Sequence, residues 1–488
     1  MCKNIRKTKI ICTIGPASSD KETIRNMIRS GMNVARFNFS HGEYETFSSW
    51  YRNVTEVREE MGAPVATLLD TKGPEIRLGT FENPEGVTIH SGDLYTLTAD
   101  EVTGTAEKCS VSYKGLPFVV RKGTVILIND GLISMKVRHV SGNDILCEVT
   151  EGGLLTNRKG VNVPNLSLQM PYLSEQDMQD LKFGAKMGFD FIAASFCRTG
   201  ADIMYLRDFC HALGWNDVKI IAKIENHEGV ENLDGIIREA DGIMVARGDM
   251  GVEIPFEKIP ALQKMIIHKV AAAGKIVVTA TQMLESMIQN PRPTRAEITD
   301  VANAVYDGTS AVMLSGETAM GAHPVEAVRT MAAIALTTEQ DINYVDRFVK
   351  LAPKHSQKGI TSAISHATVT TAHDLNASAI ITVTQSGTTA RQISKYRPLC
   401  PIISATTSEK VRRQLNLSWG VTPILCEEQS NTDKLFAHVV ERALHTGIIR
   451  KGDIVVITAG IPLGQSGTTN LLKVECVSAG TEDEPEEE

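Results

Sequence analysis

Eight short β-branched or apolar runs, each closing on polar residues and separated by helix-like stretches, constrain this chain more than any other feature. They are residues 9–15 (KIICTIG), 33–39 (NVARFNF), 65–70 (VATLLD), 190–196 (DFIAASF), 219–224 (KIIAKI), 242–246 (GIMVA), 276–281 (IVVTAT) and 311–315 (AVMLS). Continuous apolar strands alternating with helices read as parallel β/α units, buried on both faces. Helical patterns at 21–30, 174–187 and 260–273 fit between them, the first two opening after Ser-type caps. Eight such units predict a closed (β/α)8 TIM barrel, an α/β fold.

The gap between the third and fourth runs, about 71–169, is too long for one crossover helix. Gly92-Asp93, Gly104, Gly123, Asn129-Asp130-Gly131 and Gly142-Asn143-Asp144 punctuate alternating segments such as 124–128 and 145–149, which predicts an all-β domain inserted in a barrel loop. Beyond about Asp341, strand candidates at 379–384, 401–405, 422–426 and 453–459 alternate with helices, giving a separate open α/β domain. The division expected is a barrel of 1–71 and 170–341, a β-barrel lid of 72–169, a C-terminal α/β regulatory domain of 342–478 and a disordered acidic tail of 479–488.

Charge and cysteine usage narrow the partners. The final eight residues hold six of the 58 acids, so the rest of the chain nearly balances its 50 Lys and Arg. No strongly basic face is expected, which argues against nucleic acid or an anionic membrane as partner. Nine scattered cysteines with no C-x-x-C pair and no Cys/His cluster at zinc spacing predict neither a disulfide framework nor a structural metal. No apolar run suffices for a signal or a membrane span, so a cytoplasmic location is expected.

A barrel of this kind builds its site from the carboxyl ends of its strands. Those ends carry Arg36, Asn38 and Ser40, then Asp70 and Thr71, Ser195, Lys223 and Glu225, Arg247 and Asp249, Thr281, and Ser315 with Glu317. Glu225 and Asp249 end neighbouring strands and offer hard oxygens of the kind Mg²⁺ takes, though a pair of loop carboxylates in salt bridges fits the spacing too. Lys223 shares a side of its strand with Glu225, facing either an anionic substrate or a structural ion pair. Arg247-Gly248-Asp249, with Gly251 close behind, brings backbone N–H groups towards an anion. Asn38, Ser40, Asp70 and Thr71 suit a weakly bound monovalent cation as well as plain backbone capping. Arg36, Arg77 and Lys159 add positive charge, the last two in or beside the insert, and His41 follows Ser40 as a phosphate or base contact. Neither a P-loop nor a protein-kinase signature occurs. Cys12 and Cys197 read as core thiols.

Taken together the motifs TKIICTIGPAS, GMNVARFNFSHG, LLDTKGPEIR, KGVNVP, IAKIENHEG, DGIMVARGDMGVEIP, TATQMLESMIQNPRPTRAEITDVANAVYDGTSAVMLSGETA and SGTTN resemble the pyruvate kinase family across all three expected domains. The resemblance implies transfer of phosphoryl from phosphoenolpyruvate to ADP, giving pyruvate and ATP. It implies that Glu225 and Asp249 hold Mg²⁺ (or Mn²⁺), with Lys223, Arg36 and Thr281 as catalytic residues and Arg36, Lys223, Arg247, Gly248, Asp249 and Thr281 around the substrate. Asn38, Ser40, Asp70 and Thr71 would hold K⁺, with Glu75 marking the K⁺-dependent branch. Asn38, His41, Arg77 and Lys159 would meet the nucleotide; for the proton taken by the enolate, a water or hydroxyl relay near Thr281 and Glu317 is the donor expected. A homotetramer is expected, as is the lack of an extra C-terminal domain found in some bacterial relatives. The loop Thr384, Gln385, Ser386, Gly387, Thr388 and Thr389 is implied to hold the phosphate of a sugar-phosphate or nucleotide effector, with plain helix capping the other reading, since the 460–467 loop supplies no Arg or Lys for a second phosphate. A Mg²⁺-dependent lyase or aldolase working through a pyruvate enolate is the competing reading, against which the lid and its basic patch argue.

Overall fold

Eight parallel strands close into a barrel in chain order: β1 (Lys9–Thr13), β2 (Val34–Asn38), β3 (Ala66–Asp70), β4 (Phe191–Ala194), β5 (Lys219–Ile224), β6 (Gly242–Ala246), β7 (Ile276–Ala280) and β8 (Ala311–Leu314). The structure, a computed structural model, describes residues 5–40, 42–164, 166, 170–355, 359–462 and 469–477. All eight predicted runs are strands of this barrel, each within two residues of its expected ends. Helix Lys21–Ser30 is capped by Asp20 rather than by a serine, its carboxylate accepting from the backbone N–H groups of Glu22 and Thr23. Ser174 caps helix Glu175–Met187 through a reciprocal bond with Asp177.

Strand alternation splits the barrel side chains in two. Ile11, Val34, Leu68, Phe191, Ala193, Ile221, Met244, Val278 and Met313 fill the interior, while their neighbours in sequence pack outward under the helices. The same parity turns Thr13, Arg36, Asp70 and Lys223 inward near the upper ends of β1, β2, β3 and β5, with Ser195 one residue beyond β4. Leu417, from the C-terminal part of the chain, closes the interior at the floor.

The insert forms a seven-stranded sheet running Ile76–Arg77, Gly160–Asn162, Val125–Ile128, Ile133–Ser141, Asp144–Glu151, Leu94–Thr98 and Lys108–Ser110 across its width. A bridge between Leu78 and Val111 links its two edges, so the sheet rolls round a core containing Tyr95, Leu97, Ile126 and Val149. The C-terminal sheet has the four expected parallel strands, Val421–Leu425, Ile402–Thr406, Ala379–Val383 and Ile454–Gly460. Sequence reading missed a fifth, antiparallel strand, Thr469–Cys476, because its polar and charged alternation lacks the apolar run that marked the others.

Charged and polar bonds tie this sheet to the barrel floor. Arg413 Nε donates to both oxygens of buried Asp190 at 3.0 and 3.1 Å, and Asn416 donates to the carbonyls of Asn33 and Pro64. Lys9 Nζ donates to the Val421 carbonyl at 2.7 Å. Burial, with repulsion from Arg6, outweighs Glu339 and pushes the Lys9 ammonium from 10.5 down to about 7. Below that pH the folded protein must carry a buried charge. Above it the folded state sheds a proton that the unfolded chain keeps until about pH 10.5. The protein should therefore gain stability relative to a Lys9→Met variant as pH rises from 7 to 10, by up to roughly 1.4 kcal/mol per pH unit; parallel melting curves read this directly.

Candidate active site

The upper ring of the barrel is one continuous network across five strands. Arg36 donates from Nη1 to Thr13 Oγ1 at 2.7 Å and from Nε to Asp70 Oδ2 at 2.6 Å. Ser195 Oγ donates to Asp70 Oδ1 at 3.1 Å and lies 2.7 Å from the Thr71 carbonyl. Lys223 Nζ donates to Ser195 Oγ at 2.8 Å and to Asp70 Oδ1 at 3.2 Å, and stands 2.8 Å from Glu225 Oε1. Phe196, with a left-handed backbone of φ +51°, donates its N–H to Glu225 Oε2 at 2.6 Å.

Electrostatics fix the protonation of this ring. Burial opposes the charge of Lys223, but Asp70, Glu225 and Asp249 together outweigh it and hold its pKa above the ordinary amine value. Burial also raises Asp70, yet Arg36 and Lys223 bring it below the usual carboxylate range, so it is ionised. Glu225, 1% exposed, goes the other way: burial and then Asp249 exceed the pull of Lys223 and raise it to about 7. Burial and the repulsion of Asp249 both favour a proton or a further positive charge beside Glu225. Glu225 Oε1 lies 2.8 Å from Lys223 Nζ, a hard anionic oxygen buried beside that cation. That donor set fits a small divalent ion that keeps water or substrate oxygens as its remaining ligands. No group of three His, Cys, Asp or Glu gathers for a metal among the described residues, so two carboxylates carry the fit.

Asp249 lies in the first turn of helix Arg247–Glu253, which follows β6 without a loop; the glycine loop expected there is the helix itself. Gly248 N–H donates to Thr281 Oγ1 at 2.8 Å. Thr281 and Gln282 have φ of +67° and +53°, and for β-branched Thr281 that conformation is strained. The Arg247 side chain holds it in place, donating to the carbonyls of Thr281 at 2.7 Å and Gln282 at 3.0 Å while bound to Asp300 at 2.7 Å. Arg247 thus turns its guanidinium to the loop after β7. A cleft of about 690 Å³ opens here, lined by Gly248, Asp249, Thr281 and Ser315 and overhung by Asp130 of the insert.

Glu317 departs from its expected part in a relay. It is buried, and its two oxygens accept the backbone N–H groups of Leu284 at 3.0 Å and Ser315 at 2.7 Å, joining the loops after β7 and β8. Asn38 Oδ1 accepts from Ser40 N–H at 3.2 Å, and Thr71 Oγ1 bonds the backbone of β4 and Ser195. Both Asp70 oxygens are engaged by the ring. Arg77 binds Glu75 through Nε at 2.9 Å, and Lys159 precedes the neighbouring insert strand, so the two stand side by side on the insert and outside the ring. His41 lies outside the described residues. In the C-terminal domain, Thr384 Oγ1 accepts from Gly387 N–H at 2.9 Å, Ser386 and Thr388 share a 3.0 Å bond, and Thr389 bonds Thr469, so these hydroxyls brace the start of helix Thr388–Ser394. Sequence reading missed Thr13 and gave Ser195 no role; following side-chain parity to the top of each strand would have found both.

The family described as "Pyruvate kinase, barrel domain" matches residues 5–328, and "Pyruvate kinase, alpha/beta domain" matches 362–475. The chain belongs to the pyruvate kinase family. The pyruvate kinase of Clostridium acetobutylicum is 50% identical over 474 residues, 97% of this chain and all of that one. That of Geobacillus stearothermophilus is 49% identical over 475 residues, 97% of this chain and 81% of the relative. Among solved structures, a pyruvate kinase from Cryptosporidium parvum superposes with a TM-score of 0.91 at 41% identity, covering 97% of this chain and 96% of the other. Membership makes this chain an enzyme and a phosphotransferase, EC 2.7.1.40. No described helix is long and apolar enough to cross a membrane.

Proposed function

We propose that the ring at the barrel mouth transfers the phosphoryl group of phosphoenolpyruvate to ADP, giving pyruvate and ATP as the final step of glycolysis. The observation that carries this reading is the single network of Arg36, Asp70, Ser195, Lys223 and Glu225, two cations and two acids meeting where Asp249 acts on the same charges. Mg²⁺ or Mn²⁺ held by Glu225 and Asp249 would supply charge neutralisation for phosphate and enolate oxygens. Arg36 and Lys223 stabilise charge on the equatorial oxygens of the phosphoryl group while the β-phosphate oxygen of ADP attacks in line. Thr281 and the Gly248 backbone orient the substrate carboxylate in the adjoining cleft. Arg77 and Lys159, with Asn38 and His41, meet the nucleotide from the insert and the rim, and the insert acts as a lid excluding water. Asn38, Ser40, Thr71 and the remaining lone pairs of Asp70 hold K⁺.

The wider reading divides the chain into a barrel of 1–71 and 170–341, a lid of 72–169, a regulatory domain of 342–478 and an acidic tail of 479–488, the tail lying outside the described residues. We place the enzyme in the cytoplasm as a homotetramer, with the Thr384–Thr389 turn answering a sugar-phosphate or nucleotide effector. In an assay supplying phosphoenolpyruvate, ADP and Mg²⁺, pyruvate and ATP should form one to one, faster in K⁺ than in Na⁺. Pyruvate release without ATP would refute phosphoryl transfer, and equal rates in the two salts would refute the K⁺ site.

Arg247 gives a separate check. Arg247→Met frees Thr281 and Gln282 from their left-handed backbone, so the KM for phosphoenolpyruvate should rise by roughly 10- to 100-fold with a smaller change in kcat. Steady-state kinetics at saturating ADP would show it.

A further inference from the structure

Between the barrel floor and the C-terminal domain lies a small pocket whose lining includes Lys275, Arg391, Lys395 and Arg397 and no aspartate or glutamate. Lys395, only 3% exposed, has no hydrogen-bond partner on Nζ, which lies over the Tyr396 ring, 5.6 Å from its centroid. Ser418 Oγ, in a residue 2% exposed, has no partner either. Arg397 spends its terminal nitrogens on Ser394, the Gly308 carbonyl at 3.0 Å and Ser310 Oγ at 3.0 Å, and its plane covers Trp419, but buried Nε bonds nothing. Lys275 is satisfied by the carbonyls of Arg238 and Ala240, and Arg391 reaches the Ser386 carbonyl.

Three buried donors without acceptors, two of them on cationic side chains, are costly unless something fills the gap. Burial lowers the Lys395 pKa with no carboxylate to offset it, and burial with Arg347 lowers Arg397 to about 9 against the opposing pulls of Tyr344 and Glu339. A water could accept these bonds but would bring no charge to Lys395. The pocket holds about 10 Å³, room for one species near the size of a water and too little for a phosphate ester.

We propose that this pocket binds a halide-sized inorganic anion, chloride in solution, held by Lys395, Arg397 and Ser418. The ion would join the starts of β7 and β8, at Ile276 and Ser310, to the segment after helix Thr388–Ser394. Its place is remote from the ring at the barrel mouth, so the site does not depend on the proposed phosphoryl transfer.

Bromide is the direct probe. Crystals grown without chloride and soaked in sodium bromide should show an anomalous peak within hydrogen-bond range of Lys395 Nζ and Ser418 Oγ. A water-like feature without anomalous signal, while bromide occupies other positions on the molecule, would overturn the proposal. In solution, exchanging sodium isethionate for sodium chloride at constant ionic strength should raise Tm saturably by roughly 2 °C or more. Inorganic phosphate should not do so, and a Lys395→Gln variant should lose the chloride response. An unmoved Tm, or an equal rise with phosphate, would count against a halide site; the bromide soak uses the unmodified protein and stands even if the variant folds poorly.

Discussion

Lys223→Met lowers kcat by roughly three powers of ten, while the dissociation constant for ADP stays near that of the unmodified enzyme. The size follows from removing one charged group aimed at a transition-state oxygen in a dry site, worth about 10²–10³-fold in comparable cases. Nucleotide binding survives because the groups proposed for it, Arg77 and Lys159, stand on the insert, away from Lys223. The loss of the ammonium also removes the partner of Glu225, which sits 2.8 Å from it. Glu225 is already raised to about 7, so it takes up a proton instead of remaining a lone buried charge. Stability should consequently fall by less than the roughly 3–5 kcal/mol usual for breaking a buried pair. Rapid kinetics with an ADP titration separates the two effects, and undiminished turnover would remove Lys223 from the mechanism.

Asp70→Asn should be the more damaging change to the fold and nearly as damaging to activity. Asp70 is the one anion that both Arg36 and Lys223 bind, through different oxygens. The amide preserves shape and the Ser195 bond but leaves buried Arg36 without its carboxylate and Lys223 with Glu225 alone, which costs about 3–5 kcal/mol and should lower kcat by roughly 10²-fold through misplacement of both. Denaturant melts and turnover measure the two losses. Raising K⁺ discriminates between roles: if Asp70 acts mainly in the ring, added K⁺ restores nothing, whereas recovery at high K⁺ would make cation ligation its main function.

The architecture was legible because parallel strands buried on both faces write themselves as apolar runs, and all eight stood out against amphipathic helices. Strand Thr469–Cys476 did not, since an antiparallel edge strand with one face in solvent has no such run. The convergence of Arg36, Asp70, Lys223 and Glu225 at one mouth of the barrel was legible as well, because strand ends alone put them there. Partner choice was not. Strand order says that Asp70 is near Arg36 and Lys223, but only side-chain geometry reveals that its oxygens are divided between them. Arg247 and Glu317 show the same limit: each is a charged residue at a strand end, yet one clamps the Thr281 carbonyl and the other binds two loop N–H groups. Sequence position cannot tell a residue that faces the substrate from one that holds its neighbour in place.

Mn²⁺ binding followed by electron paramagnetic resonance reads whether Glu225 and Asp249 together hold one divalent cation beside Lys223. The unmodified enzyme should bind one Mn²⁺ per chain, with affinity falling at least tenfold in both Glu225→Gln and Asp249→Asn. Equal Mn²⁺ affinity in all three proteins would contradict the account.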